Sequence, residues 1–176
     1  MAFFKEELMN VKGFVFDVDG VLSRIIQPLT PEGDPVRTAN IRDGFAIVHA
    51  IRTGYPLAII TGGNTTEVRK RYQKLGVTHL YMGSLDKITF FEDFLKKSGL
   101  KDSEIMYMGD DLPDYLVMKR VGVPVCPNDA VTEIKSVSKY ISDKNGGEGC
   151  VRDVIEQVLR AQGKWIDPEK LHWSSF

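Results

Sequence analysis

Residues 13–22 read GFVFDVDGVL, an aromatic and β-branched run that leads into two aspartates one residue apart and a glycine. The run 13–18 predicts a strand buried on both faces, and polar residues directly behind such a strand belong to the loop at its carboxyl end. The same order recurs twice: LAII at 57–60 leads into Thr61-Gly62, and IMYM at 105–108 leads into Gly109-Asp110-Asp111. Shorter strands are predicted at 79–82, 123–126 and 140–141. Between them, 44–53, 65–75, 87–98, 114–120 and 131–136 carry helical spacing. Residues 151–161 (VRDVIEQVLRA) set Val151, Val154, Ile155, Val158 and Leu159 on one helical face. Strands alternating with helices predict an α/β fold: a Rossmann-like, doubly wound, mostly parallel sheet with helices on both faces.

Two stretches break this alternation. Residues 23–40 contain Pro28, Pro31, Gly33 and Pro35, and Gly33-Asp34 reads as the turn of a β-hairpin flap after the first strand. The last residues, 163–176, form an aromatic tail with Trp165 and Trp173. A chain of 176 residues predicts a single domain over 1–176. Its 23 basic and 24 acidic residues nearly cancel, so no global field draws it to nucleic acid or to an anionic membrane, and any anionic ligand must be held locally. Residues 1–10 do not read as a signal peptide and no apolar run is long enough for a membrane span. Cys126 and Cys150 lack metal-ligand spacing and read as reduced, buried thiols, which predicts a cytoplasmic protein.

In a doubly wound sheet the carboxyl ends of the strands line one crevice, where ligands bind. Asp17, Asp19, Thr61, Asp110 and Asp111 would then meet there. Four carboxylates in one crevice repel one another unless a cation joins them, and an all-oxygen donor set suits Mg²⁺ shared with a phosphate. One carboxylate can attack phosphorus to give an acyl phosphate. Asp19, two residues beyond Asp17, is placed to protonate a leaving oxygen and then to deprotonate water. Thr61, the backbone at Gly62 and Lys87 are placed to hold the phosphoryl oxygens. Taken singly, Asp-x-Asp-Gly and Gly-Asp-Asp are turns and a lysine is solvated surface. It is their order along the chain, each acidic motif behind an apolar strand, that points to phosphoryl transfer.

The set DVDGVL (17–22), ITG (60–62), Lys87 and GDDLPD (109–114) resembles the four motifs of the haloacid dehalogenase superfamily. IRDGFAI (41–47), VRKRYQKLGV (68–77), VMKRVGVPVCPNDA (117–130) and GGEGCVRDVIEQVL (146–159) are similar to stretches of its capless branch, the 3-deoxy-D-manno-octulosonate 8-phosphate phosphatases. The resemblance spans about residues 11–162. It implies Asp17 as nucleophile and magnesium ligand, and Asp19 as acid/base that gives the metal its backbone carbonyl. It further implies Thr61 and Lys87 as the phosphate-holding pair, Asp110 as the third metal ligand, and Asp111 and Asp114 as acids that orient water and Lys87. A homotetramer built on the flap is implied as well, with Arg152 and the loop 146–149 of one subunit contributing to a neighbour's substrate site. The 41 residues between Asp19 and Thr61, and the 22 between Lys87 and Asp110, leave no room for an inserted cap domain.

The chain departs from the family pattern in two places. Ser23-Arg24-Ile25 replace the usual residues after the first motif. Gly63-Asn64 stand where the octulosonate enzymes often carry Arg and a nonulosonate phosphatase carries Glu. The substrate is expected to be a phosphorylated 3-deoxy-ulosonic acid, with the nonulosonate 9-phosphate and a less selective sugar phosphatase as alternatives. A phospho-accepting receiver domain shares the Asp, Thr and Lys, but in a different order along the chain. A catalytically silent binding module is disfavoured by Asp17 and Asp19. Arg69 and Arg71 read as surface cations, and Asp43 as the N-cap of the helix that follows it. His49, His79 and His172 lie near no second His or Cys and predict no histidine-ligated metal.

Overall fold

The computed structural model describes residues 2–83 and 85–166, without the side chains of residues 2–4. Strands β1 (Gly13–Phe16), β2 (Leu57–Thr61), β3 (His79–Met82), β4 (Ile105–Met108), β5 (Val123–Cys126) and β6 (Tyr140–Ile141) alternate with helices. The helices are α1 (Ala2–Leu8), α2 (Ile41–Arg52), α3 (Thr66–Lys74), α4 (Lys87–Ser98), α5 (Tyr115–Met118), α6 (Thr132–Val137) and α7 (Cys150–Ala161). The six strands form one sheet in the order β3-β2-β1-β4-β5-β6, with every pairing parallel. The chain leaves β1 toward β2 and later returns to β4 on the other side, so the order reverses between β1 and β4. That is the switch point at which a crevice opens beyond the carboxyl ends.

Period-two alternation feeds two cores, one on each face. Phe14, Phe16, Leu57, Ile59, Met106 and Met108 pack with α2, α3 and α7, whereas Val15, Ala58, Ile60, Ile105 and Tyr107 pack with α4, α5 and α6. Burial on both faces explains why the strands read as unbroken apolar runs.

Four expectations need adjustment. The flap is not a paired hairpin: its two arms meet in a single antiparallel bridge, Leu29 with Pro35, closed by the turn from Thr30 to Asp34. Three prolines in eighteen residues remove donors that a longer ladder needs. The expected helix 114–120 is a 3-10 turn, Leu112–Asp114, followed by the single helical turn α5. Helix α1 was absent from the sequence reading; its packing against α7 holds it, and Gln162 donates to the carbonyls of Leu8 and Val11 behind it. Asp43 is not the N-cap of α2. Asn40 takes that role, accepting from the N–H groups of Arg42 and Asp43. Asp43 is buried and accepts instead from the N–H of Arg152, so it satisfies the start of α7 from across the interface. Of the tail, Trp165 packs on the body beside Phe45 and His49, while His172 and Trp173 lie outside the described residues. Both cysteines are buried and free. Among the described residues no helix is long and apolar enough to cross a membrane.

Candidate active site

Strand register fixes the floor of the crevice. Asp17 follows β1, and its N–H donates to Met108 O at 3.1 Å, so the ends of β1 and β4 are tied side by side. Gly20 turns the chain away with a φ of 79°, and a Cβ there would lie 1.9 Å from Asp110 Oδ2. Only glycine serves both the turn and this close approach. That is the physical content of the Asp-x-Asp-Gly motif.

At the floor, Lys87 at the start of α4 donates to Asp17 Oδ2 at 2.8 Å and to Asp114 Oδ1 at 2.7 Å, with its side chain only 3 % exposed. Asp114 is fully engaged: Oδ1 also accepts from the Tyr107 hydroxyl at 2.5 Å, and Oδ2 accepts from the N–H of Asp110 at 3.2 Å. Oxygens of Asp17, Asp110 and Asp114 come within 4.8 Å of one another. Since Asp114 spends its oxygens on protein donors, it is a strut for Lys87, which leaves Asp17 and Asp110 as the carboxylates available to an ion. A cleft of about 240 Å³ opens above them, lined also by Asp19, Thr61, Gly62 and Asp111. Thr61 is buried, and its hydroxyl accepts from the N–H of Gly63 at 3.2 Å.

The electrostatics follow from this crowding. Burial, then repulsion by Asp114, pushes Asp17 up to about 7 despite Lys87. Burial, then Asp17 and Asp114, pushes Asp110 up to about 8. Burial draws Lys87 down, but its two carboxylate partners outweigh it and leave the ammonium raised. The site therefore carries more buried negative charge than its one lysine neutralises, and its donors are all hard oxygens. A divalent cation such as Mg²⁺ fits that set.

The rim is different. Asp19 is 36 % exposed and accepts both arms of the Arg37 guanidinium at 2.8 Å each, with Gln27 adding a third bond at 3.2 Å. Asp111, one of the two acids expected to orient Lys87, is exposed and accepts from the N–H of Leu112, and the contacts to Lys87 come from Asp114 and Asp17. Arg152 does not reach the cleft of its own chain. Its guanidinium pairs with Glu156 at 2.7 Å and lies over Phe45 and Trp165. Arg69 contacts Asn64 at 3.4 Å, while Arg71 packs on Gly44. Three contributors were missed in the sequence: Tyr107, Arg37 and Gln27. Tyr107 left a signal, as the one hydroxyl in an apolar strand that precedes the Gly-Asp-Asp. Arg37 and Gln27 left none, because a loop carries no periodicity.

Comparison with known proteins agrees with the fold. Residues 79–155 match the family model for haloacid dehalogenase-like hydrolases. The chain is 38% identical over 155 residues to the 3-deoxy-D-manno-octulosonate 8-phosphate phosphatase of Escherichia coli K12, covering 88% of this chain and 82% of that one. A crystal structure of the Moraxella catarrhalis phosphatase with magnesium, phosphate and KDO superposes with a TM-score of 0.87 at 34% identity, covering 93% of this chain and 94% of that one. The cobalt-bound Haemophilus influenzae phosphatase gives a TM-score of 0.86 at 28% identity, with 90% and 92% covered.

Proposed function

The chain belongs to the 3-deoxy-D-manno-octulosonate 8-phosphate phosphatases, a branch of the haloacid dehalogenase-like hydrolases, and on that premise we propose that it hydrolyses a phosphorylated 3-deoxy-ulosonic acid to the free sugar acid and phosphate. The observation that carries the reading is the meeting of Asp17, Asp110 and Lys87, delivered by three separate parts of the chain, in one small cleft beside Thr61.

Asp17 attacks phosphorus, and the bond from phosphorus to the sugar oxygen breaks as the bond to the Asp17 carboxylate forms. Asp19 gives its proton to the departing alkoxide. It then takes a proton from water, which attacks the aspartyl-phosphate and releases phosphate with Asp17 restored. Thr61, the Gly62 backbone and Lys87 hold the phosphoryl oxygens, and Asp114, held by Tyr107, fixes Lys87. Mg²⁺ would be held by Asp17, Asp110 and the backbone carbonyl of Asp19, and when bound it supplies the positive charge that lets the two buried carboxylates ionise beside a phosphate. Asp111 positions the loop at the rim and water beside it. The relatives are phosphatases, so the receiver alternative drops away.

A capless cleft is open to water, and closure by neighbouring subunits would answer that. The flap exposes Ile25, Ile26, Leu29 and Val36 near the cleft, which supports its use as the interface of a homotetramer. Arg152 and the loop 146–149 would act there only on a neighbour's substrate.

Steady-state kinetics on phosphorylated ulosonic acids and on hexose phosphates, with Mg²⁺ present, tests the reading. The eight-carbon acid is expected to lead in kcat/KM by about tenfold or more. A lead for the nine-carbon acid would move the chain to the nonulosonate reading, and a flat profile to a less selective phosphatase. Absence of turnover on every phosphomonoester would end the proposal.

A further inference from the structure

Deepening the sugar-acid reading and resting on it, we infer that Arg37 of the flap is the residue that recognises the substrate's carboxylate, and that its fork on Asp19 is the resting partner which that carboxylate displaces. Four observations converge on it. Both oxygens of Asp19 are bound by this one guanidinium at 2.8 Å, so Asp19 has neither oxygen turned to a leaving group while the fork is in place. Arg37 is 89% buried as a side chain by its 11 % exposure, yet its Nη1 is buried without a hydrogen-bond partner among the described residues. The side-chain oxygen of Gln27, the other flap residue on Asp19, is buried and unpartnered as well. Two orphaned groups of opposite hydrogen-bonding character beside one carboxylate are costly unless a ligand bearing acceptors and hydroxyls meets them.

The third observation is Gly63. A Cβ at this position would lie 2.6 Å from Arg37 Nη2, so the absence of a side chain is what admits the guanidinium to the mouth of the cleft. The last is the cavity behind it. Arg37 also lines a second cavity of about 460 Å³, between the flap and α3, whose walls include Val36, Thr38, Val68, Arg71 and Tyr72. The catalytic cleft is about half that size and has room chiefly for the phosphoryl end. Arg37 therefore stands between the acid/base and a larger chamber. A molecule with a phosphate at one end and a carboxylate near the other spans that boundary. Exposed Glu32, Asp34 and Glu67 at the chamber's outer edge repel the carboxylate and leave Arg37 and Arg71 as the cations within reach. A guanidinium suits the task because its planar fork pairs equally well with either carboxylate, so one exchange releases Asp19 as it anchors the substrate.

The test compares two substrates on two variants. Wild type, Arg37→Ala and Arg37→Lys are assayed on the phosphorylated ulosonic acid and on its 1-amide or a hexose phosphate lacking the carboxylate, with circular dichroism to confirm folding. The preference for the carboxylate, as a ratio of kcat/KM, is expected to fall about 10- to 100-fold in Arg37→Ala, chiefly through KM. Arg37→Lys is expected to restore part of it, since charge survives and the fork does not. An unchanged ratio, with both substrates losing activity alike, would overturn the inference and leave Arg37 as a positioning residue for Asp19. Failure of the wild-type protein to prefer the carboxylate would sink the sugar-acid reading together with this one.

Discussion

The floor and the rim of the cleft use the same chemistry, carboxylate against cation, in opposite settings. On the floor, Asp17, Lys87 and Asp114 are nearly sealed from water, and each is mounted on a strand end or at the start of a helix or turn. On the rim, the Asp19–Arg37 pair is partly solvated, and Arg37 belongs to a flap whose arms share one backbone bridge and the hydrogen bonds of Thr38 with Ser23 and Arg24. Buried charges interact strongly and cannot lose a partner cheaply, whereas a pair at the rim gains less and exchanges partners more readily. The difference teaches that Asp17 sits in a buried, mutually tied cluster, whereas Asp19 sits in a partly solvated ion pair.

The sharpest way to break that contrast is Asp17→Asn. Turnover should fall by about 10⁴-fold or more, because an amide is not a comparable nucleophile, and no second carboxylate of the floor is free to replace it. The fold should survive, since Lys87 keeps Asp114. Single-turnover kinetics with acid-quench detection of phospho-enzyme would check both halves. Residual activity near wild type would remove Asp17 from the role of nucleophile.

Next comes the strut. Asp114→Leu strands the Lys87 ammonium against Asp17 alone and leaves the Tyr107 hydroxyl without its acceptor. Loss of one partner in a buried ionic cluster costs about 3–5 kcal/mol, which a shift in the denaturant midpoint reads directly. Equivalent changes among exposed flap residues such as Ile26 should stay within about 0.5 kcal/mol of monomer stability. Loss of less than about 1 kcal/mol in Asp114→Leu would mean that the floor is not the rigid unit its contacts describe.

The same contrast governs what could be read in the sequence. Asp17, Thr61 and Asp110 stand behind GFVF, LAII and IMYM, and a buried parallel strand announces itself by an unbroken apolar run. The sheet and the floor were therefore legible together, because strand register positions both. Lys87 was legible only through its order among the motifs. Arg37 and Gln27 were not legible at all, since a proline-rich loop puts side chains where no repeat can predict them. The flap's proline content was visible, but its consequence, one bridge in place of a hairpin, depends on which N–H groups the ladder would have needed. Asp43 illustrates the opposite error: its place before an apolar helix suggested a cap for α2, and the tertiary fold gave it the N–H of Arg152 in α7.

That misread aspartate supplies the control for the smallest effect. Asp43 Oδ1 caps α7, its Oδ2 is buried without a partner, and burial pushes its carboxyl up to about 6 against the pull of Arg152. A carboxyl whose folded value lies above its unfolded one contributes stability below the unfolded value, and that contribution is lost as pH rises through the folded value. For Asp43 the loss runs from the ordinary carboxyl value of 3.8 to about 6. For Asp17 and Asp110 it runs on to about 7 and about 8. Metal-stripped protein should accordingly lose stability in two overlapping stages between about pH 4 and about pH 8, measured by urea unfolding in EDTA. Asp43→Asn keeps the capping oxygen and removes the charge, so it should flatten the lower stage by about 1 kcal/mol, the amide's own unpaired N–H groups offsetting part of the gain. Mg²⁺ should flatten the upper stage, because a cation on the floor stabilises the ionised pair, and it should reduce the lower stage to the share of Asp43. If Mg²⁺ left the slope above about pH 6 unchanged, or Asp43→Asn altered it, the floor would not be where the ion and the buried negative charge meet.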